Sequence, residues 1–131
     1  MDAAPLDLPV RVVLVDMARL TRELIRGLLE DEPGIEVVRE LAEAGVSIRE
    51  LVEETRAELV IVGATSGLLA ECRDFLAEHA LVRILAVSPD GRAAQLHGVR
   101  PYETLAESLA AELVLAVASR RRLTASEGSA R

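Results

Sequence analysis

Lysine, asparagine and tryptophan are absent from this chain of 131 residues, and Cys72 is its only cysteine. A lone cysteine excludes an intrachain disulfide and fits a reducing compartment. Aromatic residues make up only 2% of the sequence, so the core must be built from Leu, Val, Ile and Ala. No apolar run reaches the ~18 residues that a membrane-spanning helix needs. The first residues, Met1-Asp2-Ala3-Ala4-Pro5, lack the basic and then apolar pattern of a secretory leader. A soluble, cytoplasmic protein without a membrane partner is the expectation. Positive charge is also in short supply. The net charge is −7 and the pI near 4.9, which disfavours binding to a phosphate backbone, so no nucleic-acid partner is expected. The short run Arg120-Arg121-Arg122 falls at the end of a predicted helix, where cations suit the dipole.

What is present is an alternation of apolar strands with amphipathic helices. Residues 1–8 read as an N-terminal arm. Residues 10–16, rich in Val and Leu, read as a strand buried on both faces. A helix follows from Ala18 to Asp31, with Met17, Leu20, Leu24, Leu28 and Leu29 on one face, and Pro33-Gly34 breaks it. Ile35–Arg39 is a second strand. Ser47 and Glu50 have capping-box spacing and open a helix over 48–56. Leu59–Val62 is a third strand, and the small-residue loop 63–67 leads into a helix over 67–79. Leu68, Cys72, Phe75, Leu76 and His79 share a face of that helix.

Val82–Val87 is a fourth strand. Ser88-Pro89-Asp90-Gly91 is then a turn, and the fifth strand, 92–99, follows too closely for a crossover helix. These two strands are expected to form an antiparallel hairpin. Thr104 and Glu107 repeat the capping-box spacing and predict a last helix to about Arg121. Residues 9–122 form a single domain, and 123–131 a tail. The pattern predicts an α/β sandwich with a five-stranded sheet in the order 2-1-3-4-5, its last strand antiparallel.

The strand–helix order over Val10–Ser88 resembles the receiver domain of bacterial response regulators. The match rests on Leu14-Val15-Asp16, the stretch from Leu28-Leu29 to Pro33-Gly34-Ile35-Glu36-Val37-Val38, Leu59–Val62, and Ile84–Ser88. It implies a three-layer, flavodoxin-like sandwich. It also implies a pocket of paired acids after the first strand, a phosphoacceptor aspartate ending the third, a hydroxyl after the fourth and a lysine after the fifth. Here Asp16 matches one of the paired acids, and Met17 stands in place of the other. Gly63 replaces the acceptor, Ser88 matches the hydroxyl, and no lysine exists. The family's helix between the last two strands is missing. Glycine offers no carboxylate to attack phosphorus, and the lysine's charge stabilisation is gone. The resemblance is thus to a degenerate receiver, or pseudo-receiver, that is not phosphorylated on Asp.

Each candidate residue has two readings. Asp16 is a remnant of the pocket or a carboxylate capping the next helix. Ser88 is a remnant hydroxyl or an ordinary turn residue. Thr65, Ser66 and Gly67 could hold a small anion at a helix N-terminus, or form a plain capped loop. Cys72 reads as a buried, inert thiol, and His79 and His97 lack metal-ligand spacing, so no metal site or cofactor is expected. No Ser/His/Asp or Cys/His arrangement points to an enzyme. The predicted last helix is apolar over about half its circumference, wider than the ~100° arc that one sheet face covers. With the fourth helix missing, Leu96, Leu109, Leu113, Val114 and Val117 are candidates for an interface.

The expectation is a stand-alone receiver-like signalling module of the two-component type. It would act by protein–protein interaction, as a homodimer or with another signalling protein, and carry no DNA-binding output domain. The alternative is a small-ligand sensor at the C-terminal edge of the sheet.

Overall fold

The computed structural model describes residues 9–42, 45, 47–79, 82–97, 104–109 and 114. The elements follow in the order β1 (Val10–Val15), α1 (Arg19–Glu30), β2 (Ile35–Leu41), α2 (Ile48–Thr55), β3 (Leu59–Gly63), α3 (Leu68–Glu78), β4 (Arg83–Val87), β5 (Ala93–His97) and β6 (Thr104–Leu109). The arm at 1–8 and the tail at 123–131 lie outside the described residues.

The strands make one mixed sheet in the order β2-β1-β3-β4-β5-β6. β1 pairs in parallel with β2 and β3, and β3 with β4. β4 and β5 are antiparallel, with Leu85 opposite Leu96, as the short turn between them requires. The expected order 2-1-3-4-5 is present, with a sixth strand added outside it.

That sixth strand corrects the sequence reading. Thr104–Leu109 was expected to open a helix. It pairs antiparallel with β5 instead, Ala94 opposite Ser108 and Leu96 opposite Ala106. Without β6, the outer edge of β5 would carry unpaired backbone donors and acceptors, and ladder pairing outweighs a local capping pattern. Val114, the one described residue beyond β6, is helical and buried.

Alternation along the strands divides the core in two. Val10, Val12, Leu14, Ile61, Leu85, Leu96 and Val114 pack with Ile25 and Leu29 of α1. Val13, Val15, Val60, Val62, Ile84 and Ala86 pack with Ile48, Leu51 and Val52 of α2, and with Leu68, Cys72 and Phe75 of α3. β3 is buried along its whole length, as a continuous apolar run at the centre of a covered sheet must be. Each fully buried Val, Leu or Ile contributes about 1.5–3 kcal/mol.

The buried face of α1 differs from the leucine stripe expected. Thr21, Ile25 and Leu29 face the sheet, while Leu20 and Leu24 are 79% and 54% exposed. Thr21 is admitted to the core side because its hydroxyl donates to the Pro89 carbonyl at 2.8 Å. On the other face, the Ser47 hydroxyl accepts the Glu50 amide at 3.3 Å, as its spacing predicted. The Ile48 amide donates to Glu71 Oε2 at 2.8 Å, tying the start of α2 to α3.

Candidate functional site

Three loops meet at the C-terminal edge of the parallel strands, those after β1, β3 and β4. β1 ends with the Asp16 amide donating to the Leu41 carbonyl at 2.8 Å. Asp16 then takes a positive φ of 47°, a conformation that Asp tolerates better than most side chains. This reverses the chain and buries Met17 in the α1-side core. The turn also brings the Asp16 carbonyl across the end of β3. A Cβ built on Gly63 would lie 2.6 Å from that oxygen and 3.3 Å from the Met17 Cα. The position where the resemblance calls for an acceptor carboxylate is therefore closed by backbone, and only hydrogen fits there.

The Asp16 side chain is engaged as well. Its Oδ2 accepts the Ser66 hydroxyl at 2.6 Å, a charge-assisted bond. The Ser66 oxygen in turn accepts the Leu68 amide at 2.9 Å, capping α3. Ser66 thus couples the carboxylate after β1 to the helix after β3. This corrects the reading of Asp16 as a cap for the next helix: the N-cap residue of α1 is Ala18, with no side-chain bond, and the Asp16 carboxylate instead steadies Ser66, the residue that caps α3.

Ser88 occupies a turn. Its hydroxyl donates to Asp90 Oδ1 at 2.7 Å and accepts the Ala93 amide at 3.1 Å. Asp90 also accepts the Arg92 amide at 3.0 Å. The Ser88 hydroxyl, followed by that amide, holds the Asp90 carboxyl below its ordinary range. Asp90 was not singled out from the sequence; its Pro-Asp-Gly setting was the available signal.

Between these loops lies a cavity of about 340 Å³. Asp16, Met17, Gly63, Thr65, Ser66, Gly67 and Ser88 all line it, together with Val87 and Pro89. The structure thus brings the pocket residues and the candidate anion loop into one place. Among the described residues most of the lining side chains are small, and none is aromatic.

The remaining candidates fall elsewhere. Leu96 and Val114 are buried in the α1-side core, so the chain does not offer them to a partner. This corrects their assignment to an interface: the same apolar character that suggested a contact surface is consumed by the sheet. Leu109 ends β6, and its side chain is not among those described; Leu113 and Val117 lie outside the described residues. Cys72 is buried, and burial followed by the nearby Glu71 charge pushes its thiol up to about 12, which leaves no reactive thiolate at neutral pH. His79 stacks on Phe75 with ring centroids 4.1 Å apart, its Nε2 3.0 Å from Arg49. His97 is buried opposite Ile84, and its Nε2 has no hydrogen-bond partner among the described residues. Burial, aided by the Arg73 charge, pulls its pKa down. Among the described residues, no three His, Cys, Asp or Glu side chains gather as a metal site. Nor is any described helix long and apolar enough to cross a membrane. Scanning the chain against protein-family models, and searching for it among curated proteins, finds no match.

Proposed function

We propose that this chain is a receiver-like signalling module, of the flavodoxin-like three-layer type, which transmits by protein–protein contact as a homodimer and without phosphorylation on Asp. The observation that carries this reading is the Asp16 carbonyl across Gly63, 2.6 Å from where a Cβ would stand. A carboxylate nucleophile has neither a side chain to carry it nor space to enter. The two serine hydroxyls of the lining are engaged as well, Ser66 with Asp16 and Ser88 with Asp90. A lining whose carboxylate and two serine hydroxyls are already hydrogen-bonded supports a role in binding over one in catalysis. The acidic net charge favours a protein partner over nucleic acid, and a cytoplasmic location agrees with the single buried thiol.

The test is mass spectrometry after incubation with acetyl phosphate and Mg²⁺. The intact mass should be unchanged; an adduct of one phosphoryl group that hydroxylamine removes, as it does an acyl phosphate, would overturn the reading. The 340 Å³ cavity favours a second reading, a sensor of a small polar molecule. A thermal-shift screen with nucleotides and metabolites separates the two, because a sensor's melting temperature rises with its ligand.

A further inference from the structure

The hollow between the three loops has more acceptors to offer than donors. Four polar side chains line it, Asp16, Thr65, Ser66 and Ser88. Both serine protons are already given to carboxylates, Ser66 to Asp16 Oδ2 and Ser88 to Asp90 Oδ1. Each serine oxygen accepts one backbone amide, from Leu68 and from Ala93. A hydroxyl oxygen has two lone pairs, so each serine keeps one acceptor site. Asp16 keeps its second carboxylate oxygen, since Oδ1 takes no hydrogen bond among the described residues. The Thr65 hydroxyl is exposed and likewise makes no bond there.

The charges are unbalanced in the same sense. Asp16 is the one ionisable residue of the lining, to which no Arg or His belongs. Arg19, next in the chain to the lining residue Ala18, is paired with Glu23 at 3.0 Å. The amides that begin α3 are spent on Ser66, Leu68 on its hydroxyl and Leu69 on its carbonyl. The donors that remain in the lining are backbone amides and the Thr65 hydroxyl, none with a formal charge. An anion would meet a carboxylate and no countercharge, which weighs against the small-anion expectation for Thr65, Ser66 and Gly67. A divalent cation would find one carboxylate, and among the described residues no three His, Cys, Asp or Glu side chains gather to hold it. A protonated amine fits better, because an ammonium carries donors only, one for the carboxylate and the rest for hydroxyl oxygens. Val87 and Pro89 give apolar surface to the carbon that bears it. The volume of 340 Å³ lies at the small end of the roughly 300–1,000 Å³ common for ligand sites.

We infer that the hollow is a binding site for a small organic cation, a primary ammonium on a short carbon chain, with Asp16 Oδ1 as its countercharge and the oxygens of Thr65, Ser66 and Ser88 as further acceptors. This inference rests on the sensor reading above and names its class of ligand. The net charge of −7 draws such cations toward the chain.

The test is titration of the ¹⁵N-labelled full chain by NMR at constant ionic strength, with butylamine, 1-butanol, butyrate and Mg²⁺ as separate probes. Butylamine should shift the amide signals of Gly63, Ser66 and Ser88 saturably, and the other three should leave them in place. Asp16→Asn should weaken the binding of butylamine about tenfold or more. Asparagine tolerates the φ of 47° at this position, and its oxygen can still accept the Ser66 hydroxyl, so the fold is kept. Thr65→Lys, at an exposed position, brings a tethered ammonium to the hollow and should weaken butylamine binding to a similar degree. Saturation by butanol, butyrate or Mg²⁺ without saturation by butylamine overturns the ammonium ligand and leaves the sensor reading standing. Butylamine binding that survives both substitutions overturns the role of Asp16. A hollow that none of the probes and no compound of the thermal-shift screen occupies overturns this inference and the sensor reading together.

Discussion

Gly63 shows how much one hydrogen atom decides. The glycine was legible in the sequence, at the position where the receiver resemblance calls for an acceptor. Its environment was not, because nothing local announces that Asp16 will adopt a positive φ and swing its carbonyl over the neighbouring strand. The vacancy and the closure are two sides of one arrangement: the chain after β1 sits where an acceptor side chain would project. Gly63→Ala places a methyl 2.6 Å from a backbone oxygen, which cannot retreat without moving Met17 out of the core. The expected cost is about 1–3 kcal/mol, the range for overpacking a filled interior, read as a lower urea midpoint. A midpoint equal to the wild type's would mean that the Asp16–Met17 turn yields freely. Gly63→Asp should be destabilised in the same way and still take up no phosphoryl group.

At the scale of elements, β1 to β5 and α1 to α3 were readable because their apolar periods are clean and their breaks are marked by Pro33-Gly34 and Pro89-Asp90-Gly91. Two features were not. The face of α1 was misjudged because a wheel weighs leucine above threonine, whereas Thr21 has a carbonyl to bond and Leu20 does not reach the sheet. β6 was missed because Thr104 and Glu107 have the spacing of a helix start, while the edge that recruits them lies in a different part of the chain. The pairing of β6 with β5 is a tertiary fact, and the Thr104–Glu107 spacing carries no trace of it. Ser66 is the element-scale link between α3 and the end of β1. Ser66→Ala removes the cap of the Leu68 amide and the donor to Asp16 together. A loss of about 1–2 kcal/mol is expected in equilibrium unfolding, the upper part of the range for a lost helix cap. Ser66→Thr, which keeps an oxygen in place, should recover most of it.

For the whole molecule, His97 contributes to the pH response near neutrality. Its pKa is lowered from the ordinary 6.5 by burial, which disfavours the charged imidazolium inside the sheet. The unfolded chain therefore binds this proton more readily than the folded one. The sign follows: the neutral ring's contribution to stability is fully present above about pH 6.5 and is lost as pH falls from there toward the folded-state value. Urea midpoints measured from pH 7.5 down to pH 5 should decline, and His97→Gln should flatten that decline. A wild-type profile already flat over this interval would contradict a neutral buried ring. The histidine itself was visible in the sequence, but its burial depends on β5 lying between β4 and β6, which no window of residues around it reveals.

The hydroxyl of Thr21 has a consequence beyond its own helix. Pro89, whose carbonyl it grips, also forms part of the cavity wall between the three loops. The Thr21–Pro89 bond thus ties α1 to one wall of that hollow. Removing that hydroxyl is expected to release the turn at Pro89 and, with it, that side of the hollow.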